Sequence, residues 1–258
     1  MEQAIGNETS IAIAFSGGLD SSLLARLCKD FGIDVILLTV GFSASHDISF
    51  SREIASIMNL PHKILKLDTE CFQTDIDQIC SKVKCNITSH IENCIGFFYI
   101  GKFAHSNGYR TVLTANGCDE LFCGYDIFRS AYNQGIVGLV KLMEEKLENE
   151  FLLMQEIDTV VKEFGVKIKQ PFLSPDFISF AKSISVDQKI NGPNDLVRKH
   201  ILRRLAVSMK VPHQSAMRRK KAFQYSSLIH RNFCKLDREL QSLSNRPHQD
   251  IVFIKQKL

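Results

Sequence analysis

The stretch that most constrains the fold runs from Ile11 to Lys29: IAIAF, then SGGLDSS, then LLARLCK. Ile11 to Phe15 is an unbroken apolar run and reads as a buried strand. Ser16, Gly17 and Gly18 leave no room for a long loop, and Asp20, Ser21 and Ser22 can cap a helix. Leu23, Leu24, Leu27 and Cys28 then recur at helical spacing. Strand, tight turn and helix in this order aim backbone N–H groups and a positive helix end at one spot, which suits a phosphate or pyrophosphate. Gly17 and Gly18 let an anion come close to the backbone. The competing reading is an ordinary βα turn built of small residues.

The turn is neither a P-loop, because the Gly-Lys-Ser/Thr ending is missing, nor a GxGxxG turn. Asp20 stands where a P-loop places Lys. A carboxylate beside a phosphate cradle calls for a cation between them, and Mg²⁺ is held by one or two carboxylates plus phosphate oxygens.

The first half of the chain alternates strand and helix patterns. Asp34 to Phe42 is a second apolar strand, and residues 48–58 carry a helical stripe closed by Asn59-Leu60-Pro61. His62 to Asp68 alternates as a third strand. Residues 70–85 and 90–106 read as helices, and Arg110 to Ala115 contains a short strand. This rhythm predicts a parallel, doubly wound α/β sheet with helices on both faces. Ligands in such sheets sit outside the carboxyl ends of the strands, so Ser16 to Asp20, Val40-Gly41 and Thr114 to Asp119 share one rim. After Tyr125 the strand signal stops. Residues 136–164 read as amphipathic helix with Leu139, Leu142, Met143, Leu147, Phe151 and Leu152 inside. Residues 169–184 read as loop then helix, and 194–208 as a basic helix with Leu196, Ile201, Leu202 and Leu205 inside. The expected division is an α/β domain over 1–130 and a helical basic region over 131–258 packed on the same site.

Charge is distributed unevenly. The net +4 divides into +12 over residues 196–258 (15 Lys and Arg against 3 Asp and Glu) and −8 over the rest. Such a segment meets either nucleic acid or the phosphates of a small ligand. No basic run with interleaved aromatics speaks for nucleic acid. The N-terminal MEQAIGNETS has no basic start and apolar centre of a signal peptide, and no apolar run is long enough to span a membrane, so a cytoplasmic protein is expected. The eight cysteines form no CxxC pair. Cys71, Cys80, Cys85 and Cys94 are not at zinc-knuckle spacing and read as reduced thiols of helix cores.

SGGLDSS resembles the pyrophosphate loop of the N-type ATP pyrophosphatases, which include GMP, NAD and asparagine synthetases. Five further segments narrow the resemblance to the synthetase domain of asparagine synthetase. TANGCDELFCGY (114–125) resembles the family's Ser-Gly-Glu-Gly-Ala/Ser-Asp-Glu-Leu/Val-Phe-Gly-Gly-Tyr, with Gly117, Asp119, Glu120, Phe122, Gly124 and Tyr125 matching. VGFSASHD (40–47) resembles the segment that lies against adenosine. There Val40 and Gly41 would contact the nucleotide through backbone atoms, while Asp47 is explained equally by a helix cap. PFLSPDFISFA (171–181), with Ser174 in place of an Asp, and RKHILRRLA (198–206) match in order. RRKKAFQ (218–224) resembles the Arg-x-Lys-Lys segment whose first Lys, here Lys220, contacts the leaving pyrophosphate.

The resemblance implies an adenine nucleotide α-hydrolase-like (HUP) fold and an ATP-dependent, AMP-forming carbon–nitrogen ligase of amino-acid biosynthesis. Such a ligase adenylates a carboxylate, aspartate in the family, and then forms an amide with ammonia or an amine. The catalytic candidates are Lys220, Asp119 and Asn116. The nucleotide-binding candidates are Ser16, Gly17, Gly18, Asp20, Ser21, Ser22, Val40, Gly41, Thr114 and Ala115. Asp20 and Asp119 are the Mg²⁺ ligands. Expected partners are ATP, a small carboxylic acid, a separate glutaminase or other nitrogen-donor protein, and a second copy of the chain in a homodimer. Nucleic acid and membranes are not expected. Residue 2 is Glu and the pyrophosphate loop begins at residue 16, so the expectation is a synthetase without the glutaminase domain. Ala115 and Cys123 each replace a family Gly, and Asn116 replaces a Glu held necessary for amide formation. Asn cannot take a proton. The match therefore speaks for ATP and pyrophosphate binding more than for amide formation, and adenylation is expected to outrun amidation. The alternatives are a ligase for a different acid and a nucleotide-binding subunit of an amidotransferase without turnover. Sulfur-transfer relatives acting on tRNA need paired cysteines that are missing here.

Overall fold

The structure, a computed structural model, describes Gly6 and residues 10–243. Among these residues five strands, β1 (Ser10–Ala14), β2 (Asp34–Phe42), β3 (His62–Leu67), β4 (Thr111–Leu113) and β5 (Lys167–Lys169), form one sheet in the order β3-β2-β1-β4-β5. Every pairing is parallel. The helices are α1 (Leu19–Asp30), α2 (His46–Met58), α3 (Thr69–Lys82), α4 (Thr88–Ser106), α5 (Cys118–Leu121), α6 (Ile127–Tyr132), α7 (Gly135–Val161), α8 (Pro175–Ser183), α9 (His200–Ser208), α10 (His213–Ala216), α11 (Phe223–Ser226) and α12 (Ile229–Leu243). Every residue of β2 from Val35 to Phe42 is buried, so both faces of this strand are covered, as its continuous apolar sequence requires. This is the doubly wound parallel sheet that the sequence predicts.

The sheet order decides where a ligand can sit. From β1 the chain winds to β2 and β3 on one side, then returns to pair β4 on the other, with Ala12 opposite Val112 and Ile13 opposite Leu113. The strand order reverses between β1 and β4, which opens a crevice at their carboxyl ends. The turns that follow these two strands, residues 15–18 and 114–117, are thereby neighbours although about a hundred residues of sequence separate them.

Several local expectations are corrected. The sheet does not end before Tyr125: β5 adds beside β4, with Val112 opposite Ile168. Its three residues, Lys-Ile-Lys, are too short for alternation to register. Sheet and core both cross residue 130, since Leu147, Ile157, Ile168, Leu202 and Phe233 share one buried cluster with Ile13 and Leu37. Helix α1 starts at Leu19 with Gly18 as its N-cap, so Asp20, Ser21 and Ser22 lie inside the helix and do not cap it. The basic helix begins at His200 and not at 194. Asp195 Oδ1 accepts the N–H groups of Val197 and Arg198, at 2.9 and 3.0 Å, and Arg198 and Lys199 are left-handed with φ of 51° and 54°. Leu196 and Leu205, expected inside, are exposed, as are Phe151 and Leu152 on α7. No helix among the described residues is long and apolar enough to cross a membrane.

Candidate active site

A cavity of about 550 Å³ opens where β1 and β4 end. One wall is the glycine turn and the start of α1, with Ser16, Gly18, Asp20 and Ser21. Another is the turn after β4, with Thr114, Ala115, Asn116 and Asp119. Val40 closes a side, and Lys199, Arg203, Arg218 and Lys220 reach in from the basic segment. No side chain caps α1 among the described residues, so its first turn keeps N–H groups for an anion. Gly17, Ser22 and Gly41 are not on the cavity wall. Gly17 has φ of 73° and lies against α2, where a Cβ would press within 3.1 Å of the Ser51 backbone. Ser22 is buried and bonded by Ser215 Oγ at 2.8 Å. A Cβ on Gly41 would meet Ser45 Oγ and the Ser227 carbonyl.

The two acids of the motifs converge on one ammonium. Lys199 Nζ lies 2.6 Å from Asp20 Oδ2 and 2.7 Å from Asp119 Oδ1, and Lys220 Nζ lies 2.6 Å from Asp119 Oδ2. Lys199 is almost fully enclosed, whereas the Lys220 side chain keeps 29% of its surface. Against the upward push of burial, these two ammoniums hold the Asp119 carboxyl well below the usual carboxylate range. Asp119 in turn keeps both lysines charged despite burial. Gly124 makes the arrangement possible, because a Cβ there would collide with Asp119 Oδ1 and Lys199 Cε.

Arg203 ties the segments that carry these cations. It donates to the carbonyls of Val197 (2.6 Å), Arg198 (2.7 Å), Ala216 (2.7 Å) and Arg218 (3.0 Å). Arg218 donates to the Ser16 carbonyl at 3.3 Å and pairs with Asp47 at 3.4 Å. Asp47 is buried and accepts from Ser226 Oγ at 2.7 Å, while the cap of α2 is Ser45, so the cap explanation of Asp47 falls.

A second cluster lies at the turn after β4. Thr114 Oγ1 donates to Asn116 Oδ1, and Asn116 Nδ2 donates to Glu150 Oε1 at 2.6 Å. Tyr125 donates to Glu120, whose carboxyl lies close enough to that of Glu150 to feel its charge. Burial, and then the Glu150 charge beside it, push Glu120 up to about 8. Burial also raises Glu150.

Sequence reasoning singles out Lys220 and passes over Lys199, Arg218 and Glu150. Lys199 opens the KHILR segment already matched to the family. Glu150 carries its own signal: it takes an inward position in the stripe Met143, Leu147, Glu150, Met154, Ile157 of α7. A charge on the apolar face of an amphipathic helix needs a polar reason.

The asparagine synthase family model matches residues 3–153 and 146–257. A protein of Methanocaldococcus jannaschii bearing the name of a glutamine-hydrolysing asparagine synthetase is 26% identical over 281 residues, covering 96% of this chain and 51% of its own length. A glutamine-hydrolysing asparagine synthetase of Arabidopsis thaliana is 25% identical, covering 76% of this chain and 35% of its own length. The chain thus spans about half the length of the first relative and about a third of the second. Among solved structures, an NH3-dependent NAD synthetase from Campylobacter jejuni aligns over 70% of this chain and 86% of its own, with 16% identity and a TM-score of 0.35.

Proposed function

The chain belongs to the asparagine synthase family, and we propose that it is an ATP-dependent carbon–nitrogen ligase that adenylates a carboxylic acid, releases pyrophosphate and converts the adenylate to an amide. The observation that carries this reading is the meeting of Asp20, Asp119, Lys199 and Lys220 at the open N-terminus of α1. Phosphates fit there because the helix end and two ammoniums supply positive charge in an enclosed cavity.

The donor set also fits Mg²⁺. Asp20 lines the cavity and its Oδ1 is buried with no hydrogen-bond partner among the described residues, which leaves a hard oxygen donor for a cation. Asp20 and Asp119 would hold the ion, which would neutralise phosphate charge when bound.

In this reading the first-turn N–H groups of α1 and Ser16 orient the triphosphate. Val40, Thr114 and Ala115 flank the nucleotide. The acid's carboxylate attacks the α-phosphorus, and Lys220 balances charge on the departing pyrophosphate. Much of the acceleration comes from position and charge, since the bond changes themselves lie within the substrates. Arg203 contributes by holding Lys199 and the 216–218 loop in register.

Aspartate is the acid proposed first, with ammonia, free or from a separate donor protein, as the nitrogen source. Asn116 favours a second reading, a ligase of the same kind acting on a different acid. ATP–pyrophosphate exchange across a panel of acids, aspartate included, tests both. Exchange with aspartate supports the first reading and exchange with another acid alone supports the second. No exchange with any acid leaves a nucleotide-binding subunit and overturns the ligase.

A further inference from the structure

Residue 116 is where this chain parts from the family pattern, and the structure puts a carboxylate beside it from elsewhere. Glu150 comes from the middle of α7, is 7% exposed and lines the cavity. Its Oε1 accepts from Asn116 Nδ2 at 2.6 Å. Thr114 donates to the other end of the same amide, which fixes Asn116 with its NH₂ turned toward Glu150. Asn116 is therefore a connector between the turn after β4 and an acid on the helix opposite. A Glu at 116 and a Glu at 150 would place two like charges against each other. Asn116 with Glu150 gives one carboxylate and one donor, and the pair is satisfied.

We propose that Glu150 supplies the carboxylate that receives the nitrogen nucleophile and takes its proton, the work that Asn116 cannot do. This rests on the ligase reading above. The nucleophile so favoured is a cationic amine, ammonium being the smallest. The same cavity is also lined by Glu120, Ser89, Asn93 and Asn149, whose oxygens can accept from such a group. The step balances as follows. Glu150 removes one proton from ammonium, and the freed lone pair forms the C–N bond to the acyl carbon. A second proton passes from the nitrogen to solvent water as the tetrahedral intermediate collapses. The C–O bond to phosphate breaks, and its electron pair departs on AMP. Nothing is oxidised or reduced.

The placement also explains why α7 tolerates an acid on its apolar stripe. With Glu150 replaced by Leu the helix would pack more simply, and Asn116 Nδ2 would lose its acceptor. The burial is retained at a cost, which is the pattern of a functional group.

The test separates the two half-reactions. The acid is whichever one the wild type adenylates in the exchange screen, aspartate first. Glu150→Gln keeps the shape of the side chain and cannot take a proton. It is expected to retain ATP–pyrophosphate exchange while amide formed from ammonium falls about 100-fold or more, the usual worth of a positioned base. The ratio of pyrophosphate to amide then rises far above the wild-type value, which is expected near one if Glu150 does this work in place of residue 116. Hydroxylamine, neutral at pH 7, needs no proton removed before it attacks, so hydroxamate formation survives in Glu150→Gln. The double variant Asn116→Glu/Glu150→Gln returns a carboxylate to the same place and restores amide formation. Amide formed in wild-type proportion to pyrophosphate by Glu150→Gln overturns the proposal, as does hydroxamate lost as fully as amide. A wild type that exchanges pyrophosphate with no acid at all overturns the ligase reading, and Glu150's role falls with it. The two failures are told apart by the exchange assay alone.

Discussion

Lys199 reaches Asp20 across 179 positions of chain, Nζ to Oδ2 at 2.6 Å, and the contact joins the basic C-terminal quarter to the first βα turn. The same ammonium holds Asp119 at 2.7 Å, so one buried lysine neutralises two acids from opposite lips of the crevice. Lys199 adopts a left-handed backbone to do so, a conformation that costs a non-glycine residue roughly 1–2 kcal/mol. The ion pairs offset this strain.

Replacing Lys199 by Met leaves Asp20 and Asp119 facing each other with Lys220 alone between them. Removing one partner from a buried charge group costs about 3–5 kcal/mol. Urea unfolding at neutral pH is expected to show Lys199→Met destabilised by about 3 kcal/mol. The pH dependence follows from the depressed Asp119 carboxyl. Its contribution is fully present above the unfolded carboxylate value and is lost as pH falls through the lower folded value. The wild type therefore weakens on the acid side, and Lys199→Met weakens less steeply there. A variant as stable as the wild type would show that the pairing is incidental.

Gly124 is the smallest residue on which this site depends. A methyl group there meets Asp119 Oδ1 and Lys199 Cε at once. Gly124→Ala is expected to lower stability by about 1–3 kcal/mol, as overpacking does, and to abolish pyrophosphate exchange. Thermal unfolding and the exchange assay together check this. An active variant of wild-type stability would mean that the two side chains can shift without cost.

The sheet was legible because long apolar strands and glycine turns are local signals. Asp34 to Phe42 is read from sequence with the bounds that β2 has in the structure. Lys167–Lys169 was not legible, since three residues joining an existing edge draw their structure from β4 and not from their own pattern. The convergence of the two acidic turns followed from strand order, a global property that an alternating βα rhythm predicts well. What escaped were residues whose role is set by long-range charge. Lys199 reads as one more basic residue of a helix until its backbone turns left-handed and points it at Asp20. Glu150 reads as a break in a stripe until Asn116 is seen across from it.

His62 gives a pH dependence independent of the cavity's charges. Burial pushes its imidazole down to about 4, with the Arg52 charge adding to the effect. Thr39 Oγ1 lies 2.8 Å from its Nε2, and the neutral ring packs edge-on to Phe15. The folded state thus binds this proton less readily than the unfolded chain, whose His titrates near 6.5. Stability is complete above about 6.5 and is lost as pH falls toward 4. His62→Gln, which can still bond Thr39, is expected to flatten the stability profile between these values. Denaturant midpoints measured across that range decide it, and an unchanged slope would assign the acid sensitivity elsewhere.

Lys220 differs from Lys199 in a way that predicts different losses. It lies in the segment between α10 and α11, keeps 29% of its side chain exposed and pairs with Oδ2 of Asp119. Lys199 is enclosed and bridges two acids. A cation that can leave its partner can follow a departing pyrophosphate, whereas an enclosed one holds the frame. Lys220→Ala should therefore slow exchange about 100- to 1000-fold, the scale seen when one group that stabilises transition-state charge is removed. Its affinity for AMP should stay near that of the wild type, because AMP binding requires no cation beyond the α-phosphate, and its loss of stability should be smaller than that of Lys199→Met, because the enclosed Lys199 still neutralises Asp119. Lys199→Met should lose stability first. Calorimetric titration with AMP beside the exchange rate gives the comparison. If Lys220→Ala loses AMP affinity and exchange in equal measure, the lysine only shapes the pocket, and the charge on the leaving group is met by Lys199, Arg218 or the helix end.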